Sequence, residues 1–128
     1  MSRFVAIGVG CRAGVSGEAV AALARRALSE FGAPQGERRM FTLAAKAQEP
    51  GLAEAARLIG ATLTGLPLAA LKAQSARILT PSPAARSRFG APNVAEAAAL
   101  AGAGGRLLGP RLAANGATCA IALSAGFS

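Results

Sequence analysis

The spacing of apolar residues in the first half of the chain changes from a continuous run to a helical period. Residues 4–9 form an apolar run rich in β-branched side chains that leads into glycine, which is typical of a buried strand. Over residues 17–31 the apolar side chains recur at helical spacing, which predicts an amphipathic helix with Ser16 as its N-cap. A second strand is predicted over residues 39–44, and a second helix over residues 50–59, because proline suits the first helical turn.

The predicted elements of the second half are shorter and broken by proline and glycine. Short strands and a helical turn are predicted first, followed by an irregular Pro-rich segment, a helix capped by Asn93 and two strands joined by a hairpin loop. The predicted ranges are strand 61–63, helical turn 67–73, strand 76–79, irregular segment 80–83, helix 94–101, strand 106–109, loop 110–116 and strand 117–123.

This order of elements predicts an α/β fold. Strands that alternate with helices indicate a layered αβα domain, and the hairpin near the carboxyl end indicates a mixed, mostly parallel sheet. A chain of 128 residues is expected to fold as one domain, residues 1–128. Hydrophobic residues make up 52% of the chain but aromatic residues only 4%, so we expect a core of small, closely packed side chains.

The residue types that are missing exclude several kinds of catalytic site. The chain has no His, Asp or Tyr, which excludes a Ser-His-Asp triad, a His-based zinc site and a His general base. We therefore expect neither a metal nor a cofactor. Cys11 and Cys119 are far apart and form no CxxC motif, so we expect reduced thiols in a cytoplasmic protein. Because no apolar run approaches the length of a membrane span, we expect no membrane association.

The charge is strongly positive, with 14 Lys and Arg against six Glu and a formal net charge of +8. Such a balance indicates a polyanionic partner or simply a basic soluble surface. Nucleic acid is disfavoured, because bases are usually held on aromatic platforms and this chain has five Phe and no Trp or Tyr. The basic residues considered for nucleic acid are Arg77, Arg86, Arg88, Arg106 and Arg111.

The clearest local motif is the glycine-rich turn between the first strand and the first helix. Its glycines, Gly8, Gly10 and Gly14, free backbone amides to face an anion, and Arg12 adds a guanidinium. The turn fits the text of the dinucleotide fingerprint, but Lys46 stands where that site requires an acid. A cation there suits a carboxylate or phosphate instead. The alternative is a tight turn whose glycines serve geometry alone.

Four further side chains have either a chemical or a purely structural interpretation. Cys11 lies beside Arg12 and a helix N-terminus, where a thiol would acidify and become a nucleophile, or it is simply a small loop residue. Lys46 and Glu49 form either a Lys held towards a site or an exposed ion pair. Glu96 either completes a capping box with Asn93 or projects into a cleft as a proton donor or acceptor.

Five segments form an ordered set of motifs: residues 9–14, 43–52, 80–82, 90–100 and 118–122. This set resembles the CobE/CbiG C-terminal domain family of cobalamin biosynthesis. The resemblance implies a compact α/β domain with a mixed sheet that acts during construction of the corrin ring. This chain has Ala13 where the family turn commonly has a second basic residue, and it lacks the longer N-terminal part of the CbiG proteins. Those proteins open a δ-lactone on a cobalt-precorrin and release a two-carbon fragment as acetaldehyde.

The resemblance and the residues agree on the kind of ligand. Precorrins are flat apolar macrocycles fringed by carboxylates, which suit Arg, Lys and helix N-termini beside an apolar groove. A precorrin or corrinoid is therefore the expected partner, bound or handed on in the aerobic branch of the pathway. One alternative is a δ-lactone hydrolase in which Glu96 or Glu49 activates water, and another is an assembly partner of other pathway enzymes. The candidate ligand-binding residues are Gly8, Gly10, Cys11, Arg12, Lys46, Glu49, Ser82 and Glu96.

Overall fold

The computed structural model describes residues 3–80 and 93–126. Within these ranges, strands and helices alternate through the first half of the chain, and three strands follow the last helix. In chain order they are β1 (Phe4–Cys11), α1 (Gly17–Glu30), β2 (Glu37–Leu43), α2 (Pro50–Ile59), β3 (Ala61–Leu66), α3 (Leu68–Lys72), α4 (Val94–Ala103), β4 (Arg106–Leu107), β5 (Leu112–Ala114) and β6 (Ala117–Leu123), with 3-10 turns at Ala44–Lys46 and Ser75–Arg77.

The strands form a single mixed sheet in the order β3-β2-β1-β6-β4, and β5 pairs with β6 on the same side as β4. Strands β1, β2 and β3 are parallel, whereas β6 runs antiparallel to β1. Ile7 in the middle of β1 lies opposite Met40 of β2 and Ile121 of β6. The predicted mixed sheet is confirmed, with a larger antiparallel share than expected because β4 and β5 both pair with β6.

Helices cover both faces of the sheet. The helices α1 and α2 pack on one face, where Val5, Ile7 and Val9 of β1 point into the larger core cluster. The helix α4 packs on the other face against Phe4 and Ala6 of the same strand. Burial on both sides explains why β1 reads as a continuous apolar run rather than an alternating one. The layered αβα arrangement predicted from the sequence is confirmed.

The contact between α4 and β1 is unusually close because it is made of small residues. A Cβ atom on Gly8 would overlap the carbonyl oxygen of Ala95 and stand 2.6 Å from the amide nitrogen of Ala99. On the same helix, a Cβ on Gly102 would overlap the ring of Phe41. Glycine at these positions lets helix backbone lie directly on strand and ring, as the Ala-rich composition predicts for this core.

The structure corrects two predicted elements. Residues 76–79 were expected to form a strand, but Ser75–Arg77 is a 3-10 turn, stabilised where the hydroxyl of Ser75 donates to the carbonyl of Lys72 at 2.7 Å. The expected loop 110–116 contains strand β5, because Asn115 and Gly116 both adopt positive φ (50° and 81°) and close a two-residue hairpin turn. No helix within the described ranges is long and apolar enough to cross a membrane.

Candidate functional site

The carboxyl ends of β1 and β2 lie side by side at one edge of the sheet, which we call the carboxyl edge. Cys11 is the last residue of β1, and the turn after β2 ends at Lys46. The N-terminus of α4 reaches the same edge, since a Cβ on Gly10 would stand 3.4 Å from the Cβ of Val94. In open α/β sheets this edge is the usual place for a ligand.

The glycine-rich turn is held by the protein's own groups. The amide of Arg12 donates to the carbonyl of Gly116 at 2.9 Å, which ties the turn to the β5–β6 hairpin. The amide of Gly14, which has a φ of 77°, donates to Oε1 of Glu49 at 2.8 Å. Ser16 caps α1 as predicted, accepting from the amide of Ala19 at 3.2 Å. The amides of Arg12 and Gly14 are therefore engaged by the protein itself and do not face an anion, contrary to the expectation for this turn.

The start of α2 is packed tightly against this turn. A Cβ on Gly51 would overlap the carbonyl oxygen of Val15, and one on Gly17 would overlap the carboxylate of Glu54. The close approach explains how Glu49, the residue just before α2, reaches Gly14 across the turn. Glu49 is therefore a structural tie within the site.

Cys11 does not have the acidic thiol expected from its position. Its side chain is partly buried against the core below α1 and α2, and this burial raises its pKa. The charge of Lys46 lowers the pKa of this thiol and the charge of Glu49 raises it, but both effects are smaller than that of burial. The expectation of acidification is wrong, because desolvation outweighs the nearby cation. A protonated thiol at neutral pH is a poor nucleophile.

The two cations at the carboxyl edge are Arg12 and Lys46. Arg12 is exposed, and its aliphatic stem faces Gly116, whose Cβ position is 3.7 Å from Cδ of the arginine. Lys46 is partly buried and lies close enough to Cys11 to act on its pKa. The structure thus brings together four of the candidate residues, which we call the carboxyl-edge site: Cys11, Arg12, Lys46 and Glu49.

The carboxylate of Glu96 neither completes a capping box with Asn93 nor faces a cleft. It is 0% exposed, and its Oε1 accepts from the amides of Leu79 at 2.7 Å and Thr80 at 3.0 Å. Its Oε2 accepts from the amide of Arg111 at 2.9 Å. Asn93 caps α4 as predicted, accepting from the amide of Glu96 at 3.0 Å. The carboxylate therefore ties remote backbone segments together instead of facing a cleft.

The remaining candidates lie away from the four residues or outside the described ranges. Gly8 and Gly10 are buried within β1 and lie under α4. Ser82, with Arg86 and Arg88, is outside the described residues. A residue that the sequence did not single out is Thr118, which lies opposite Gly10 and donates to its carbonyl at 3.4 Å. Cys119 is buried, as predicted, and burial raises its pKa to about 12.

Several arginines serve the fold by donating to backbone carbonyls near helix ends. Arg25 donates to the carbonyl of Leu58 at 3.1 Å, and Arg38 donates to that of Ile59 at 3.0 Å. Arg77 donates to the carbonyl of Gly105, which follows α4. Cations at the carboxyl ends of helices offset the helix dipole and the free carbonyls there. Part of the positive charge therefore has a structural role.

Comparison with known proteins finds the same family by sequence and by structure. Residues 5–122 match the family model described as "Cobalamin synthesis G C-terminus". "Protein CobE" of Sinorhizobium sp is 35% identical over 119 residues, which cover 91% of this chain and 77% of that protein. The crystal structure of CobE, described as a protein from the cobalamin (vitamin B12) biosynthetic pathway, superposes with a TM-score of 0.86 at 36% identity, over 96% of this chain and 92% of that one.

A second solved structure is similar over nearly the same range. It is the cobalamin biosynthesis protein chiG from Agrobacterium tumefaciens str. C58, with a TM-score of 0.70 and 38% identity, covering 94% of this chain and 98% of that one. At these identities the similarity indicates common ancestry as well as a common fold.

Proposed function

This chain belongs to the CobE/CbiG C-terminal family of cobalamin biosynthesis, and from that premise we propose that it binds a precorrin or corrinoid intermediate at the carboxyl-edge site. We place this binding in the aerobic branch of the pathway. The bound intermediate is held or handed on by a basic protein whose net charge of +8 attracts an acidic ligand.

The observation that carries the proposal is that two cations lie where neighbouring strands end: Arg12 directly follows β1, and Lys46 ends the turn that follows β2. A guanidinium grips a carboxylate through two parallel hydrogen bonds, and an ammonium attracts a second one as a point charge. A precorrin carries acetate and propionate groups around its ring, so two separated cations match two of them.

Glu49 prepares this site rather than occupying it as a ligand group. Its carboxylate fixes the turn through Gly14 and lies near Lys46, so the turn is already ordered before a ligand arrives. Preorganisation of this kind lowers the entropic cost of binding. The hydrolase alternative gains no support, because Glu96 is buried among backbone amides and Glu49 is engaged by Gly14.

The proposal is tested by titration with uroporphyrin, a stable tetrapyrrole fringed by acetate and propionate groups, followed by absorbance. We expect a shift of the absorption band on binding, and no shift with the fully methyl-esterified ring. Arg12→Ala and Lys46→Ala are each expected to weaken binding about tenfold, because a hydrogen bond to a charged group contributes about 1.5–3 kcal/mol.

The matched control is Lys72→Ala, which removes an exposed cation from the last turn of α3. Its affinity for uroporphyrin is expected to stay within about twofold of the parent. Equal affinities for the acid and its ester, or equal losses in all three variants, would show that the carboxyl-edge site does not recognise ligand carboxylates.

A further inference from the structure

The amino ends of the strands carry a second set of cations that the carboxyl-edge site does not use. Leu123 of β6 pairs with Arg106 of β4 on one side and with Val5 of β1 on the other. Val5 in turn pairs with Arg38 of β2, so Arg106 and Arg38 lie on one line across the sheet. Three more arginines flank this line, just before β1, in β2 and in the last turn of α2. We call this set the arginine edge: Arg3, Arg38, Arg39, Arg57 and Arg106.

Few acidic residues balance the arginine edge. The glutamates nearest to it are Glu30 at the end of α1 and Glu37, which is paired with Arg39. At the carboxyl edge, by contrast, Arg12 and Lys46 share the surface with Glu49 and with Glu54. At the amino ends of the strands five arginines therefore stand against two glutamates, whereas the two cations of the carboxyl edge stand against two glutamates.

The arginine edge is too far from the carboxyl-edge site to hold the same small ligand. Strand β1 has 8 residues and spans about 25 Å between the two edges. A single macrocycle bound at Cys11 does not reach Arg3. The charge at the amino ends needs an explanation of its own.

Part of the arginine edge is committed to the fold and part of it is available. Arg38 donates to the carbonyl of Ile59, and the guanidinium of Arg39 stacks 4.0 Å from the centre of the Phe4 ring. Arg3, Arg57 and Arg106 are exposed, and no hydrogen bond or ion pair within residues 3–80 and 93–126 engages their guanidinium groups. These three can bind an external anion without breaking a contact of the fold.

We propose that the arginine edge is a docking surface for a protein with an acidic, carboxylate-rich face. Nucleic acid suits it less, because Phe4 is covered by Arg39 and the rings of Phe41 and Phe31 pack on glycines of the fold, so none offers a platform to a base. Arginines with free planar forks match carboxylates in geometry and in charge. A partner on this edge leaves the carboxyl-edge site open to its ligand.

The test uses labelled poly-L-glutamate as the probe and fluorescence anisotropy at low ionic strength. Arg57→Glu/Arg106→Glu is compared with Lys72→Glu/Arg111→Glu, which changes the net charge equally at positions outside the arginine edge and the carboxyl-edge site. We expect the first pair to raise the Kd about tenfold and the second to raise it by no more than about threefold. Thermal unfolding checks both proteins, and Arg57→Gln/Arg106→Gln repeats the measurement if the charge reversal lowers the Tm.

Each other outcome overturns the proposal. Equal losses would mean that the probe senses net charge alone, and a larger loss in Lys72→Glu/Arg111→Glu would place acid binding outside the arginine edge. A single-stranded oligonucleotide of matched charge that binds through Arg57 and Arg106 as tightly as poly-L-glutamate would replace the protein partner by nucleic acid. Uroporphyrin binding is expected to be unchanged by Arg57→Gln/Arg106→Gln, which separates this result from the ligand-binding proposal.

Discussion

The carboxylate of Glu96 joins two backbone segments that are remote from it in sequence. It accepts from the amides of Leu79 and Thr80 on one side and from that of Arg111 on the other. Buried charges are tolerated when hydrogen bonds replace the lost water, and three amide donors meet that condition. The residue therefore fixes where the segment before α4 and the segment after β4 meet.

Glu96→Gln is expected to destabilise the fold by about 2–3 kcal/mol. Glutamine replaces one acceptor oxygen with an NH₂ donor, so at least one buried amide loses its partner, and such a loss costs about 1–3 kcal/mol or more where a charge was involved. Urea unfolding measures the change. The control is Glu30→Gln, an exposed glutamate whose replacement is expected to cost less than about 0.5 kcal/mol. Similar midpoints for the two variants would contradict the role given to Glu96.

The raised pKa of the Cys11 thiol predicts how its reactivity depends on pH and in which direction two variants shift that dependence. Since burial raises its pKa, alkylation by iodoacetamide is expected to be slow at neutral pH and to rise with pH above the range of free cysteine. Lys46→Ala removes a charge that lowers the pKa and is expected to move the profile to higher pH, whereas Glu49→Gln is expected to move it to lower pH. Cys11→Ser is the blank, because Cys119 is buried. The reverse order of the two variants would contradict this account.

Residue roles that depend on near neighbours were predictable from the sequence, and those that depend on distant backbone were not. The N-caps Ser16 and Asn93 follow from residue type and position alone, and both are confirmed. The partners of Glu96 are amides from remote segments, which no side-chain pattern reveals. Similarly, the burial that raises the pKa of Cys11 depends on packing below α1 and α2, and it outweighs the local cation that suggested acidity.

At the level of elements, α4 was predictable as a helix but not in its orientation. Almost every residue from Val94 to Leu100 is buried, so no polar face marks which side meets the sheet. The element β5 had a signal in the Asn115-Gly116 pair, which favours a two-residue hairpin turn, but its strand is only three residues long. Elements with amphipathic faces and clear caps, such as α1 and α2, match the predicted ranges closely.

Gly8→Ala tests the close contact between β1 and α4. The added Cβ meets backbone atoms of Ala95 and Ala99, which cannot rotate away, so the helix must shift at a cost of about 1–3 kcal/mol or more. Gly10→Ala is the matched control on the same strand, because its Cβ meets the hydroxyl of Thr118 at 2.8 Å, which can rotate. Urea unfolding is expected to rank Gly8→Ala clearly below Gly10→Ala in stability, and equal stabilities would contradict the close contact.

At the scale of the whole molecule, the register of the sheet determines which cations lie at the amino ends of the strands and which lie at the carboxyl ends. Arg3, Arg38, Arg57 and Arg106 are scattered along the chain, and their sequence positions indicate only a general excess of positive charge. Parallel pairing of β1 with β2 and antiparallel pairing through β6 bring them to one end. The sequence indicated a polyanionic partner or a basic soluble surface, whereas we propose two separate anion-binding regions about 25 Å apart.

The position of β6 also sets a constraint on synthesis. Because β6 lies between β1 and β4, the first strand has only one hydrogen-bonded neighbour until residues 117–123 have left the ribosome. Until then the nascent chain carries an incomplete half-sheet with an apolar, unpaired rim, and such rims are prone to aggregation. The native sheet is completed only when β6 pairs with β1, which requires the closure of a loop between two strands that are far apart in sequence.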